Sequence, residues 1–202
     1  MSFTSKASEA PPGKQGCPCA SLHPSALLVR FSGILPRSGL ALDLACGNCQ
    51  DTIFLARRGL TAIGIDRSGQ ALTEGTHIAR TSNLKISLVQ ADLTGFHIPS
   101  GKFVVIICFR YRDPNLYPSI RTALKPGGLL IYETYTLEHL RFGRKPQNPA
   151  HLLERNELLR AFGDWEIVFY RETWTSRGMA SIVTRKPLSP QAAVSAHGLQ
   201  YN

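Results

Sequence analysis

Residues 40–59, LALDLACGNCQDTIFLARRG, run together an apolar stretch, an acidic residue, a small-residue loop, two cysteines three apart and a helical pattern that stops at Gly59. Two chemistries begin this way. A strand leading into C-x-x-C at a helix start is how a redox dithiol is built, since a helix N-terminus lowers a thiol's pKa. The same unit, with small residues at the turn, is how a nucleotide-type cofactor site begins. There, backbone amides and the helix N-terminus face the ligand, and bulky side chains would occupy its space. A metal reading of Cys46 and Cys49 would want a second C-x-x-C for zinc, and the chain has none. The rest of the sequence decides among them.

At 202 residues the chain has room for one domain with a substantial core and hardly for two. Its hydrophobic fraction of 43% is ordinary, so the fold must be sought in patterning. No apolar stretch approaches the roughly 20 residues that cross a bilayer. The opening MSFTSKASEAPPGKQGCPCA has neither the apolar core of a secretory signal nor an arginine, so a cytoplasmic setting is expected. Residues 1–20 read as a disordered leader, 21–188 as a single domain, and SPQAAVSAHGLQYN from Ser189 as a flexible tail. The five cysteines (Cys17, Cys19, Cys46, Cys49, Cys108) show no disulfide spacing and are expected as free thiols. Cys108, inside FVVIICF, reads as core filler. The net charge of +9 admits RNA or another polyanion as a partner. The basic residues are scattered, however, and no RNA-binding signature with interleaved aromatics is present, so a solvated surface is the simpler account.

Apolar runs of strand character occur at 40–45, 61–66, 86–92, 103–109 and 129–135, several of them apolar throughout, as strands buried on both faces are. Helical spacing separates them: Ile53 to Ala56, Ala71 to Ala79, Leu116 to Leu124, and NELLRAF with Asn156 as a cap. WEIVFYRETW and MASIVTRK, joined through TSRG, form a hairpin pattern. Strand–helix alternation closed by a hairpin means a three-layer α/β domain with a mostly parallel sheet. Its ligand sits at the carboxyl ends of the strands, where the order reverses.

Those ends carry Asp43, Asp66 and Asp92. Asp43 can accept from a ligand amine or order the loop. Asp66, twenty-three residues on, has the separation of a carboxylate that accepts from ribose hydroxyls, and Asp92 can accept from an adenine amino group. A dinucleotide oxidoreductase needs G-x-G-x-x-G at the first turn, and only Gly47 is there.

At this point the chain resembles the class I S-adenosylmethionine-dependent methyltransferases, through LDLACGNC, GIDRS, QADL, FVVIICF and LKPGGLLIYE, covering about Leu27 to Lys186. FGRKPQNPAHLLERNELLRAFGDWEIVFYRE is similar, more weakly, to the small bacterial-type group related to tellurite-resistance and thiol methyltransferases. The resemblance implies a Rossmann-like fold with a seven-stranded sheet whose last strand is antiparallel, and S-adenosylmethionine as cofactor. It assigns cofactor contacts to Asp43, Ala45, Cys46, Gly47, Asp66, Arg67, Ser68, Asp92, Leu93, Cys108 and Phe109, with Arg30 of a short helix over 23–31 at the cofactor's carboxylate. Family loops usually carry three glycines where this one has Ala45, Gly47 and Cys49. Cys49 puts a side chain near the cofactor's methionine portion and is strained if that position needs φ > 0. The implied activity is therefore accompanied by an alternative, a methyltransferase-like binding protein of weakened cofactor affinity.

Methyl transfer from a sulfonium requires placement and water exclusion, and a general base only when the nucleophile carries a proton. Acceptor contacts are expected after strands four and five. Arg110, Tyr111 and Glu133 are the catalytic candidates; Arg110, Arg112, Arg141 and His151 suit an anionic substrate. The Gly/Pro-interrupted connection that holds Arg141, Arg144, Lys145 and His151 is a candidate lid. The expected acceptor is a small anionic or soft nucleophile (a thiol, a metalloid oxyanion or a small acid), with RNA or protein as the alternative and no membrane partner.

Overall fold

The computed structural model describes residues 23–175 and 177–188; the expected leader with Cys17 and Cys19, and the expected tail from Ser189, lie outside the described residues. Five apolar runs pair side by side as parallel strands: β1 (Leu40–Leu44), β2 (Thr61–Asp66), β3 (Ser87–Gln90), β4 (Phe103–Phe109) and β5 (Leu124–Tyr135). The hairpin of β6 (Glu166–Thr173) and β7 (Met179–Arg185) adds to β5 antiparallel through β7. The sheet order is β3-β2-β1-β4-β5-β7-β6. The chain moves outward in one direction from β1 and in the other from β4, so the crevice between their carboxyl ends is the switch point where such sheets bind ligands.

Alternation along the strands divides the core in two. Leu42, Leu44, Ile106, Cys108, Leu130 and Tyr132 face α4 (Leu116–Ala123) and α5 (Glu157–Phe162) through Ile120, Leu158 and Phe162. Ala41, Ala62, Val105, Ile107, Leu129 and Ile131 face the other way, toward Leu27 and Leu28 of α1 (Ala26–Arg30) and Leu55 of α2 (Gln50–Arg57). Both faces are covered, which is why the central strands read as unbroken apolar runs. The remaining helix, α3 (Gly69–Thr81), packs on β2 and β3. No helix among the described residues is long and apolar enough to cross a membrane.

Some boundaries differ from the sequence expectation. β3 spans four residues instead of seven, because it is a half-exposed edge strand that pairs only with β2. β5 starts at Leu124 rather than Leu129, since Leu124 already pairs with Phe103 before a bulge. The helix expected over 23–31 shortens to five residues. Asn156 precedes α5 in a left-handed conformation and makes no side-chain cap; the Glu154 N–H is instead bonded by Glu157, 2.8 Å away.

Candidate functional site

Beyond β1 the backbone enters the left-handed region at every second residue, with φ 57° at Ala45, 53° at Gly47 and 64° at Cys49. For the two non-glycines that conformation costs on the order of 1–2 kcal/mol each. One local and two long-range hydrogen bonds hold it: Cys49 N–H donates to Cys46 O at 2.9 Å, Cys46 N–H to Ile65 O at 3.0 Å, and Gly47 N–H to the Asp66 carboxylate at 2.8 Å. A Cβ built on Gly47 would meet nothing within 4 Å. The loop thus presents bare backbone to open space above the switch point, a cradle that fits a bound cofactor.

The two cysteines lie beneath this cradle. Cys49 is fully buried, and its side chain leaves the loop toward α3, where a Cβ on Gly75 would stand 2.7 Å from the Cys49 Cβ. Expected beside the methionine portion of the cofactor, the Cys49 side chain is in fact turned to the opposite side, into room that Gly75 leaves. Cys46 is half-buried, and its sulfur packs on Gly64, where a Cβ would come within 2.8 Å of it. The sulfurs are 3.7 Å apart and both are free.

The acidic strand ends take different parts. Asp43 is 2% exposed and accepts the Thr52 hydroxyl at 2.6 Å; burial first, then the charge of Asp51, holds its carboxyl well above the usual range. It orders the loop, and the role of accepting from a ligand amine is closed to it. Asp66 accepts from the backbone N–H groups of Gly47 and Ser68, each at 2.8 Å, and keeps an open side in the cleft. Ser68 turns away, because its hydroxyl caps α3 by accepting from Ala71 N–H at 3.2 Å. Exposed Asp92 is held low by the N–H of Thr94.

These residues open onto a cleft of about 520 Å³, within the roughly 300–1,000 Å³ usual for small-molecule and cofactor sites. Ala45, Asp66, Arg67, Asp92, Leu93 and Thr94 form one side. Arg110, Tyr111, Arg112, Asp113, Asn115 and His151 form the other. Arg110 also has a left-handed φ of 57°, and its N–H is tied to Glu133 O at 2.8 Å. Its exposed guanidinium has no hydrogen-bond partner among the described residues. Tyr111 is half-buried, its carbonyl accepts from the Tyr132 hydroxyl at 2.9 Å, and burial together with Asp113 pushes its phenol up.

Several expected contacts are corrected. The Arg112 guanidinium is consumed by Glu157, at 2.9 Å from Nε to Oε1 and again from Nη2 to Oε2, and by Ala150 O at 2.8 Å. It pins the 137–151 connection as a wall of the cleft and is not free for substrate. Glu133 does not line the cleft; it accepts the Ser181 hydroxyl at 2.6 Å on the side toward β7. Arg141 pairs with Glu138 at 3.0 Å in a groove beside the terminal hairpin. Arg30 lies over the rings of Phe31 and Phe169, 5.2 and 4.5 Å from their centroids, rather than in the cleft. Cys108 and Phe109 bury their side chains in opposite faces of the core, and burial pushes the Cys108 thiol up to about 12. Of the expected lid residues, only His151 reaches the cleft from the connection, beside Pro146 and Ala150.

Sequence reasoning missed Thr52, Asp51, Thr94 and Glu157. Asp51 accepts Ser25 N–H at 2.6 Å and the Ser25 hydroxyl at 2.7 Å, fastening α1 to α2. Acidic residues in the first turns of α2 and α5 were the available signal.

Residues 41–128 match the family described as a methyltransferase domain. Over 113 residues, half of this chain and 44% of the relative, the sequence is 33% identical to YqeM of Bacillus subtilis (strain 168), which carries a methyltransferase name. The chain therefore spans less than half the length of that relative. The fold is shared with TehB from Haemophilus influenzae (TM-score 0.66, 20% identity, 79% of this chain and 61% of that one). It is shared also with an S-adenosylmethionine-dependent methyltransferase from Methanosarcina mazei (TM-score 0.63, 20% identity, 79% of this chain and 98% of that one).

Proposed function

We propose that this chain is a class I S-adenosylmethionine-dependent methyltransferase, as its methyltransferase-domain match and shared fold support, and that it methylates a small anionic or soft nucleophile in the cleft between Asp66 and Arg110. The observation that carries this is the pairing, across one cleft, of a carboxylate suited to ribose with a guanidinium that has no hydrogen-bond partner among the described residues. S-adenosylmethionine, when bound, supplies a methyl group on a sulfonium, activated by the positive charge of its leaving group. Asp66 accepts from the ribose hydroxyls, the bare backbone of Ala45 to Gly47 supports the chain of the cofactor, and Asp92, Leu93 and Thr94 wall its base. Arg110 draws an anionic acceptor to the far side, while Tyr111 and His151 set its orientation. The protonated Tyr111 phenol can donate to such an anion.

Glu133, the expected base, is instead turned to Ser181, which supports an acceptor that arrives ionised and needs no base, a thiolate or oxyanion. Positioning alone then supplies on the order of 7–11 kcal/mol. Free thiols at Cys46, Cys49 and Cys108 support a reducing, cytoplasmic setting. Calorimetry with S-adenosylmethionine tests the core of the proposal: Asp66→Ala is expected to weaken binding at least tenfold. Unchanged affinity would remove the ribose assignment, and no binding to the intact protein at millimolar cofactor would remove the function.

A second reading, RNA as the acceptor or partner, is favoured by one feature. Trp174, 62% exposed, stands as a stacking face in a groove with Arg171 and with Arg141 and Arg155, the latter two paired to Glu138, and Glu172 also lines it. Salt-sensitive retention on single-stranded RNA that is lost in Trp174→Ala supports it; indifference to RNA at physiological salt disposes of it.

A further inference from the structure

The C-x-x-C pair is not used by methyl transfer. We infer that Cys46 and Cys49 form a reversible disulfide inside the cofactor loop, and that this oxidative modification lowers the protein's affinity for S-adenosylmethionine. The inference rests on the proposed function for its consequence but not for the modification itself.

Geometry makes the bond accessible. The sulfurs are 3.7 Å apart, and the hydrogen bond from Cys49 N–H to Cys46 O closes a four-residue turn. Such a turn holds its end Cα atoms within about 7 Å, and disulfides join Cα atoms roughly 4.4–6.8 Å apart. A bonded pair requires about 2.05 Å between sulfurs, so they must close by more than 1 Å. That closure has a cost for the site. Each sulfur is lodged against a glycine, Cys46 on Gly64 and Cys49 on Gly75, and drawing them together takes at least one out of its slot. Between them lies Gly47, whose N–H holds the Asp66 carboxylate, so a shift of this turn disturbs that bond. Oxidation thus reaches the ribose-binding group through a single hydrogen bond.

The oxidant is a small hydroperoxide. Cys46 is half-buried whereas Cys49 is fully buried, so Cys46 is the member of the pair that meets the peroxide first. The Cys46 sulfur, on losing its proton, attacks a peroxide oxygen; the O–O bond breaks and water leaves, giving a sulfenic acid. The Cys49 sulfur attacks that sulfur, the S–O bond breaks, and a second water leaves with the Cys49 proton. Two thiols and one hydrogen peroxide become one disulfide and two waters, and a dithiol reductant reverses the change. Cys46 holds its proton tightly, first through its hydrogen bond with Cys49, then through burial and the charges of Asp43 and Asp66. Since the thiolate is the reactive form, this step is slow and the test uses peroxide in excess.

The experiment treats the full chain with hydrogen peroxide under native conditions, blocks remaining thiols, and measures peptide masses and calorimetric S-adenosylmethionine affinity before and after dithiothreitol. The expected result is loss of two hydrogens from the peptide that contains Cys46 and Cys49, a cofactor affinity lowered at least threefold, and recovery of both on reduction. In Cys46→Ser and in Cys49→Ala, peroxide should leave the affinity where it was. Both thiols still alkylated after peroxide would overturn the modification, whatever the protein binds. A disulfide formed with unchanged affinity would overturn the switch while leaving the methyltransferase function intact. A reduced protein that binds no cofactor would overturn the function and the switch together, and the mass readout would still report on the disulfide.

Discussion

Gly75→Ala tests the placement of Cys49 most directly. In an open helix interior, alanine in place of glycine stabilises by about 1 kcal/mol. Here the added methyl falls inside the contact distance of the Cys49 sulfur, 2.7 Å from its Cβ and 3.1 Å from Asn48 O. Overpacking of a tight core costs about 1–3 kcal/mol, so a net loss of about 1 kcal/mol, and at most about 2, is expected despite the better helix former. Cys49→Gly alone relieves about 1 kcal/mol of left-handed strain but gives up a buried side chain worth about 1.5–2 kcal/mol, for a net cost near 1 kcal/mol.

In the double variant the clash disappears and the helix gain of alanine emerges. Coupling of about 2 kcal/mol therefore favours the pair over the sum of the singles. At about 2–4 °C per kcal/mol for a domain of this size, the double variant should melt about 4–8 °C above the additive value. Urea unfolding followed by circular dichroism measures all four proteins. Additivity within about 0.5 kcal/mol would mean that the Cys49 side chain does not point at α3. Because that side chain faces away from the cleft, Cys49→Gly should also leave cofactor affinity within about twofold.

Arg112→Ala removes one half of an ion pair whose side chains are 14% and 9% exposed, and should destabilise by about 3 kcal/mol, read as a shift of the urea midpoint; a shift worth less than 1 kcal/mol would restore Arg112 as a substrate residue. Arg30→Ala removes only a stacked surface cation, a loss of about 0.5–1 kcal/mol, and calorimetry should find S-adenosylmethionine affinity within twofold of the parent. Asp43→Asn keeps the acceptor for Thr52 while removing a carboxyl whose folded pKa is raised by burial and Asp51. A group that binds its proton more tightly when folded loses stability as pH rises from its unfolded value, about 3.9, toward its folded one. The variant should match the parent near pH 3.5 and exceed it increasingly up to pH 7 in thermal melts; a constant difference across that range would contradict the assignment.

The strands and their mostly parallel run were legible because burial on both faces leaves unbroken apolar runs, and because helices alternating with strands make crossover connections. The positions of Asp66 and Asp92 followed from the same logic, since strand ends at a switch point face the ligand. Side-chain direction was not legible. Arg30, Arg112 and Glu133 stand at the positions expected of them, yet each is claimed by a partner far along the chain: Phe169, Glu157 and Ser181.

By itself the sequence determined the layer architecture, the closing hairpin, the loop after β1 and the three acidic strand ends, all properties of local pattern and period. The tertiary structure alone decided which of those acids opens to the cleft, since Asp43 is sealed under Thr52 while Asp66 keeps an open side. It alone decided that Cys49, in a left-handed turn, sends its sulfur toward Gly75 and leaves the cradle bare. The physical reason is that backbone conformation and periodicity are encoded over a few residues. Which way a side chain turns depends on what long-range packing brings beside it, and here that is the absence of one methyl group twenty-six residues away.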